Sequence, residues 1–188
     1  MNRLRKHIEE IMPVNNAEFD LIMQYFFSSD FKKGEFLFRQ GQQVDYTYFV
    51  LKGLLKLVFD DVSGKEHILA FAMEDWWESD YSAFYTRSKA TMSLKCLEDS
   101  KVLCINLQGL NSLCIELPRI EHFFLQKANG GHIASQQRIL SLLSSNAKER
   151  YSELIKRYPL LQQRVSKTQI ASYLGVSRET LSRFYQKK

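Results

Sequence analysis

The sequence contains few of the residues that mark membrane, fibrous or disordered proteins. Its 188 residues include only 3 prolines and 8 glycines, which argues against a disordered or fibrous chain. The longest uninterrupted apolar run, from Ile68 to Met73, is far shorter than the roughly 18–20 residues that a membrane-spanning helix needs. Glu9 and Glu10 lie where a signal peptide would have its apolar segment. We therefore expect a soluble globular protein with no membrane partner.

Cysteine and histidine are too scarce and too scattered for most metal or nucleophile chemistry. The cysteines Cys96, Cys104 and Cys114 form no CxxC pair, a pattern that suits reduced thiols and a cytoplasmic location. His67 stands alone in its segment, whereas a metal-binding roll enzyme would need clustered histidines and a carboxylate. No Ser/His/Asp or Cys/His arrangement has a supporting local motif. The sequence therefore predicts neither an enzyme nor a metal site.

Positive charge is concentrated at the C-terminal end of the chain, although the formal net charge is only +5. Residues 145–188 carry ten Lys and Arg against three acidic residues, whereas residues 1–144 carry 16 basic and 18 acidic residues. A neutral-to-acidic body with a basic end of globular composition indicates a module that binds a polyanion. The other interpretation of the charge alone is a basic surface that is merely solvated.

The spacing of apolar residues divides the chain into segments of different structure. Residues 2–27 fit two short amphipathic helices that are broken at Pro13. Between Phe31 and Ile105, short runs rich in Phe, Tyr, Val and Leu alternate with Gly-containing turns, which is typical of an antiparallel roll or sandwich. Residues 76–89 interrupt these strands with a polar and aromatic loop and a short helix.

A long helix is expected after the strands. It begins at Pro118, which suits a first helical turn, and runs to about Leu143. Gly130 and Gly131 lie in its middle, where each glycine costs about 1 kcal/mol relative to alanine. Either the close approach of a second helix or a kink would explain them.

Residues 165–188 have the layout of a helix-turn-helix. Ser166 is placed to cap a first helix, and Gly175 supplies the turn after it. Ser177 caps a second helix, in which Leu181 and Phe184 face inward. The inward-facing residues of the first helix are Ile170, Ala171 and Leu174. Such a unit presents the polar start of its second helix outward.

The polar residues at the start of this second helix suit the major groove of DNA. An arginine can bond bidentately to guanine, and a glutamate can accept a bond from cytosine N4. The predicted base-reading residues are Arg178, Glu179, Ser182 and Arg183. The residues expected at phosphates are Lys167, Thr168, Gln169, Ser177 and Lys187. The alternative is an ordinary helical hairpin with solvated charges, because patterns of this length also match by chance.

These motifs resemble those of a known family. Ser-Arg-Glu-Thr-Leu-Ser-Arg at 177–183, after Lys-Thr-Gln-Ile-Ala-Ser-Tyr-Leu-Gly-Val, closely resembles the recognition element of the Crp/Fnr (catabolite activator-like) transcription regulators. The runs at 33–41 and 48–53 resemble the opening strands of that family's cyclic-nucleotide-binding roll. The resemblance covers nearly the whole chain and implies the order roll, dimerisation helix, helix-turn-helix. No β-hairpin wing is expected after the recognition helix, because the sequence ends at Lys188.

The resemblance also raises the question of a cyclic-nucleotide effector. Members that bind cAMP carry a Gly-Glu pair for the ribose and, about ten residues later, an Arg-Ser pair for the phosphate. In a gap-free alignment Asp80 takes the ribose position, which it could still serve, but Ala90 takes the arginine position and cannot replace a guanidinium at a buried phosphate. We therefore expect no tight binding of cAMP. The effector pocket implied by the alignment is Ser79, Asp80, Ala90, Thr91, Ser135 and Gln136.

Other effectors of the family have less support in the sequence. An iron–sulfur version needs a cluster of N-terminal cysteines, and none precedes Cys96. A haem version needs an axial ligand, for which His67, His122 and His132 are candidates only in principle. No cofactor is therefore assigned, and a cyclic nucleotide or another small effector stays open.

Together these observations predict an α+β chain that acts as a homodimeric, allosteric, DNA-binding transcription regulator in the cytoplasm. The predicted domains are an antiparallel, jelly-roll-like β-roll in residues 1–117, a dimerisation helix in 118–144 and a helix-turn-helix domain in 145–188. The partners are double-stranded DNA with an inverted repeat and a second copy of the chain, and the resemblance also admits RNA polymerase. The predicted dimer residues are Ile120, Phe123, Phe124, Gly130 and Gly131. The alternative is a regulatory or protein-interaction module without specific DNA recognition.

Overall fold

The structure, a computed structural model, describes residues 2–185 as two N-terminal helices, a β-roll and a series of C-terminal helices. The strands are β1 (Phe27–Phe31), β2 (Phe36–Phe38), β3 (Tyr46–Lys52), β4 (Leu55–Asp60), β5 (Glu66–Ala72), β6 (Trp77–Glu78), β7 (Ser93–Cys96) and β8 (Ser100–Asn106). The helices are α1 (Asn2–Glu9), α2 (Asn16–Gln24), α3 (Tyr81–Thr86), α4 (Leu107–Glu116), α5 (Ile120–Ser144), α6 (Ala147–Arg157), α7 (Leu161–Arg164), α8 (Lys167–Leu174) and α9 (Arg178–Tyr185). Within this described part, none of the helices has the length and apolar character to cross a membrane.

The strands form the antiparallel roll that their spacing predicts. One sheet has the order β1-β8-β3-β6 and the other the order β2-β7-β4-β5. Because side chains alternate along a strand, Tyr48 and Val50 of β3 face the interior of the roll, whereas Phe49 faces the helices outside. Both faces of the central strand are thus buried. The interior is filled by large side chains, among them Phe38, Tyr48, Leu57, Phe84 and Leu94.

A second core lies outside the first sheet, where α1, α2, α4 and the start of α5 pack together. Helix α2 begins with a capping box, in which the Asn15 side chain accepts a bond from the Glu18 amide and the Glu18 side chain accepts one from the Asn15 amide. The buried residues that join these helices to the sheet include Leu4, Ile8, Ile22, Phe49, Leu103, Ile120 and Phe123.

The prediction that Ile120 and Phe123 belong to a dimer seam is wrong. Both side chains are 0% exposed, because the N-terminal helices and β3 of the same chain cover them. Phe124 is half-buried in the same region, with its ring centroid 5.8 Å from that of Trp77. Apolar spacing identifies the buried face of a helix, but it does not tell whether the covering element belongs to the same chain.

Helix α5 runs through Gly130 and Gly131 as one continuous helix. A Cβ added at either glycine would meet nothing within 4 Å, so contacts within the chain do not explain why glycine stands there. Their assignment to a dimer contact stays a prediction. The second half of α5 also carries large apolar side chains that are exposed: Leu125, Ile133, Ile139, Leu140, Leu142 and Leu143.

The C-terminal helices dock against the second sheet of the roll. Ser172 of α8 accepts a hydrogen bond from the amide of Ile68 at 3.2 Å and donates one to the carbonyl of Glu66 at 2.9 Å. Arg138 of α5 donates from Nη2 to the carbonyls of Ile68 and Tyr173, and so joins the long helix to both elements. An apolar cluster shared by the roll and the C-terminal helices completes this contact. It includes Leu54, Val58, Ile68, Phe71, Leu154, Leu161, Ile170 and Leu181.

His7 is a buried histidine between α1, β3 and α5. Its ring centroid lies 5.1 Å from that of Phe49, and its Nε2 atom is buried without a hydrogen-bond partner among the described residues. Burial and then the charge of Lys127 lower the pKa of His7 below its usual value, although Glu10 and Asp75 act in the opposite direction. The folded chain therefore keeps this histidine neutral at pH values where the unfolded chain protonates it.

This burial predicts a loss of stability in mild acid. Below about pH 6.5 the unfolded state binds more protons at His7 than the folded state, so the stabilisation is complete above that pH and is lost as the pH falls below it. We expect the urea midpoint of unfolding to fall between about pH 7.5 and pH 5.5, and to fall less in His7→Phe. His122→Phe, at an exposed position on α5, is the matched control and should keep the wild-type pH dependence. Equal pH dependence in His7→Phe and wild type would contradict the assignment.

Candidate functional site

Helix α8 starts and stops at the residues that the sequence predicts. The Ser166 side chain accepts a bond from the Gln169 amide, and the Gln169 side chain accepts one from the Ser166 amide, which is a capping box. Gly175 ends the helix with a φ of +70°, a left-handed conformation that favours glycine. The amide of Val176 then bonds to the carbonyl of Ala171, which closes the turn.

Helix α9 follows this turn and packs on α8. The Ser177 hydroxyl accepts a bond from the Thr180 amide at 3.2 Å, so Ser177 caps α9 as predicted. Leu181 of α9 is 0% exposed and belongs, with the buried residues of α8, to the apolar cluster that docks the C-terminal helices on the roll, whereas the predicted inward-facing side chain of Phe184 lies outside the described part. The inward-facing residues of α8 are Ile170, Ala171 and Leu174, all buried. The helix-turn-helix expected from the sequence is therefore confirmed.

The four predicted base-reading residues lie along α9, from Arg178 in its first turn to Arg183 in its last turn. Arg178, Glu179 and Arg183 are exposed, and Ser182 is half-buried. Arg178 and Ser182 are four residues apart, and so are Glu179 and Arg183, so the four side chains form two adjacent rows on one side of the helix. The pKa of Glu179 lies below its usual value, first because of backbone and Ser177 hydrogen bonds and then because of the nearby arginines. The face therefore offers two cations and one carboxylate that is charged at neutral pH.

The residues predicted at phosphates differ in exposure and in the contacts that they already make. Lys167 and Thr168 are exposed in the first turn of α8, where backbone amides also point outward. The side chains of Gln169 and Ser177 are engaged in the caps of α8 and α9. Lys187 lies outside the described residues. The roles of all five at a phosphate backbone stay predictions.

The predicted effector pocket of the roll is filled by its own side chains. Asp80 is 0% exposed, and its carboxylate caps α3 by accepting a bond from the Ala83 amide at 3.1 Å. Its other oxygen accepts bonds from the Thr91 amide at 2.8 Å, the Thr91 hydroxyl at 3.0 Å and the Met92 amide at 3.3 Å. The expectation that Asp80 could reach a ribose is therefore wrong, because its carboxylate is fully buried and both oxygens already accept hydrogen bonds within the chain.

The neighbouring positions of this pocket are closed in the same way. Ala90 is buried, and its backbone bonds to Gly41 and Gln42. The hydroxyl of Ser79 is directed to the carbonyl of Tyr46 at 3.0 Å. Ser135 and Gln136 are instead exposed on α5, and the cleft that Ser135 lines contains none of the residues Ser79, Asp80, Ala90 and Thr91. The structure thus does not support one pocket formed by all six residues.

Arg164 is a structurally important residue that the sequence analysis missed. It lies at the end of α7 and donates two bonds to the Glu74 carboxylate, at 2.8 and 3.0 Å, and two to the Glu98 carboxylate, at 2.9 and 2.7 Å. These bonds raise the pKa of Arg164, and although burial opposes them they lower that of Glu74. Part of the basic charge in residues 145–188 therefore binds carboxylates of the roll. No sequence spacing links these three positions.

Comparisons with known proteins follow the same division of the chain. Residues 29–116 match the family described as the cyclic nucleotide-binding domain. The chain is 31% identical over 165 residues to the transcriptional activator protein Anr of Pseudomonas protegens, which covers 82% of this chain and 67% of Anr. It is 28% identical over 168 residues to the transcriptional regulatory protein btr of Bordetella pertussis, which covers 83% of this chain and 68% of btr. The c-di-GMP responsive global regulator CLP of Xanthomonas campestris has the same fold, with a TM-score of 0.75 and 15% identity over 92% of this chain and 91% of CLP.

Removal of Arg164 tests how strongly the C-terminal helices are held on the roll. Arg164→Ala leaves two partly buried carboxylates, Glu74 and Glu98, without their cation, so we expect a loss of about 1–3 kcal/mol in the free energy of unfolding. Hydrogen exchange in α8 should speed up by a corresponding factor. Lys32→Ala, which breaks the exposed ion pair with Asp99, is the control and should change stability much less than Arg164→Ala, because solvent screens this pair. Equal effects of the two substitutions would show that the Arg164 contacts do not hold the docked helices.

Proposed function

The chain belongs to the Crp/Fnr family of transcription regulators, and we propose that it reads an inverted repeat in duplex DNA as a homodimer. The observation that carries the proposal is the exposed surface of α9, the second helix of a helix-turn-helix, on which Arg178 and Glu179 lie in the first turn and Arg183 in the last turn. The basic end of the chain supports the same partner, because its positive charge attracts the phosphate backbone. The protein then acts in the cytoplasm, and RNA polymerase is a further proposed partner.

Each side chain of this face has a distinct role in the proposal. Arg178 and Arg183 donate to the O6 and N7 atoms of guanine, and the charged Glu179 accepts from N4 of cytosine. An acid among cations weakens non-specific attraction to phosphates, so Glu179 is better explained as a base reader than as a solvated residue. Ser182, which is half-buried, reaches a base only at the edge of the contact.

The phosphate contacts are proposed at the first turn of α8 and at the turn before α9. Lys167 and Thr168 would position α9 in the groove from one side. Ser177, which already caps α9, would donate its backbone amide to a phosphate, and Gln169 would contribute through its amide nitrogen. Lys187, which lies outside the described residues, is proposed as a further positive charge for the phosphates.

A second copy of the chain is proposed to pack along α5. The exposed apolar residues of this helix lie between Leu125 and Leu143, outside the contacts that Arg138 makes with β5 and α8. Gly130 and Gly131 would let the partner helix approach closely, which accounts for glycines that the single chain does not need. Phe124 would border this contact. In this proposal the roll comprises residues 1–117, the dimerisation helix residues 118–144 and the DNA-binding domain residues 145–188.

The roll is proposed to regulate DNA binding by a route other than the cAMP positions. Ala90 provides no cation, and Asp80 already occupies the amides of Thr91 and Met92 with its own negative charge. A cyclic phosphate at this place would face a buried carboxylate, which disfavours binding. The chemistry proposed for this chain is binding rather than catalysis, in keeping with relatives that are transcription regulators.

Truncation of Arg178 tests the base-reading face. Arg178→Ala should weaken binding to the preferred DNA site by about 1–3 kcal/mol and relax the choice of base at one position of each half-site. Binding to random duplex DNA should change much less, because only one positive charge is lost. Arg39→Ala, an exposed arginine on the roll, is the control and should leave both affinities unchanged. Wild-type affinity and selectivity in Arg178→Ala, measured by fluorescence anisotropy at fixed salt, would remove Arg178 from the proposal.

A charge on α5 tests the proposed dimer. Leu143 is 82% exposed in the single chain, so Leu143→Glu should leave the fold intact but place a carboxylate in the proposed seam. We expect a shift from dimer to monomer in analytical ultracentrifugation and a loss of binding to the two-fold DNA site. Ile115→Glu, at an equally exposed apolar position on α4, is the control and should stay dimeric. A dimeric Leu143→Glu variant would place the dimer contact elsewhere.

A further inference from the structure

A cleft lies where the roll, the long helix and the DNA-reading helices meet. It has a volume of about 560 Å³ and is bounded by β5, α5, α6 and the end of α8. This volume is typical of sites for small molecules, and junctions between structural units are common places for them. Its walls combine aromatic rings with guanidinium groups: Phe71, Trp76, Tyr173, Arg138, Arg150 and Arg157.

The cleft carries an excess of positive charge that the chain does not neutralise. None of its three arginines forms an ion pair within the described residues, and the carboxylate of Glu153, which also lines the cleft, bonds to the Ser141 hydroxyl at 2.9 Å. Arg150 has a structural role, because its bonds to the carbonyls of Leu174 and Ser145 use Nε, Nη1 and Nη2.

Arg138 and Arg157 keep donors for a ligand. The recorded bonds of Arg138 all come from Nη2, and Arg157 donates only from Nη1, to the Gln137 side chain at 3.2 Å. Each guanidinium therefore retains N–H groups on its other nitrogens. The Arg138 guanidinium is partly buried and lies 3.6 Å from the centroid of the Tyr173 ring.

A partly buried guanidinium without a carboxylate is an unfavourable arrangement. Contact with the Tyr173 ring and with backbone carbonyls compensates only part of the lost hydration. Burial, and after it the charge of Arg150, lowers the pKa of Arg138, although Tyr173 acts in the opposite direction. An anion in the cleft would supply the missing negative charge, and the rings of Phe71 and Trp76 would cover an apolar body attached to it.

We propose that this cleft binds a small amphipathic organic anion, whose carboxylate or phosphate group is held by Arg138 and Arg157 and whose apolar part lies on the aromatic wall. Such a ligand contacts the roll, the long helix and the DNA-reading unit at once. Its binding therefore changes how α6 to α9 sit on α5 and β5. This regulatory consequence rests on the proposed function, whereas the binding itself does not.

The test measures binding to the full chain in the absence of DNA. The probes are phenylacetate and phenyl phosphate, which share a ring but differ in the anionic group, and the neutral 2-phenylethanol. Isothermal titration and ligand-observed NMR should give saturable binding of at least one anion, with a dissociation constant on the order of 1 mM for ligands of this size. The fluorescence of Trp76 should change with the same midpoint, and this change should disappear in Trp76→Phe.

Two variants locate the anion. Arg138→Gln and Arg157→Gln should each weaken binding about tenfold, the loss expected for one charge-assisted hydrogen bond. Because Arg157 is exposed and bonds only to Gln137, its replacement does not depend on the folding of a buried contact. Arg39→Gln is the matched control, since its guanidinium also lies over an aromatic ring, 3.5 Å from the centroid of Phe36, but outside the cleft.

The outcomes separate this proposal from the proposed function. A preference for phenylacetate or for phenyl phosphate identifies the anionic group, and either supports the site. The proposal is overturned when neither anion binds at about 10 mM, when 2-phenylethanol binds as tightly as the anions, or when both cleft variants bind like Arg39→Gln. Because DNA is absent, a failure of DNA binding would leave this result unchanged.

Discussion

The docking of α8 against strand β5 is the constraint on which the rest of the structure depends. Ser172 bonds twice to the backbone of β5, through the Ile68 amide and the Glu66 carbonyl, and the apolar cluster around these bonds excludes water. Arg164 adds a bidentate contact to Glu74 and a second one to Glu98. The C-terminal helices are therefore bound to the roll at two places. Since the roll covers one side of α8, the polar start of α9 is left in solvent.

The same region also connects the long helix α5 to the roll and to the DNA-reading helices. Arg138 of the long helix bonds to a carbonyl of β5 and to a carbonyl of α8, which makes a short chain of bonds from the proposed dimer helix to the DNA-reading unit. A shift of α5 relative to the roll would therefore change the position of α8 on β5. The orientation of α9, which packs on α8, would change with it. In the interior of the roll, by contrast, Asp80 and Thr91 bind each other, so the proposed regulation is assigned to another surface of the roll.

Features set by neighbouring residues could be predicted from the sequence, whereas features set by distant pairs could not. Ser166, Gly175 and Ser177 act within a few residues of themselves, so their spacing was enough to predict the two helices and the turn. The roll followed from strand periodicity in the same way. Burial of Ile120 and Phe123 depends on helices about a hundred residues away in the chain, and the pairing of Arg164 with Glu74 is equally remote. The sequence shows that Ile120 and Phe123 are apolar and that Arg164 is charged, but it does not show which distant residues they contact.

The central claim is that the protein binds duplex DNA as a homodimer. The exposed surface of α9 in each of the two symmetry-related copies reads one half-site. In vitro selection from a random duplex library with the purified full chain tests it most directly. The account predicts enrichment of an inverted repeat whose half-site centres lie about 34 Å apart, one turn of the DNA helix. A pool that shows no enriched sequence after selection, or an enriched sequence without two-fold symmetry, would contradict it.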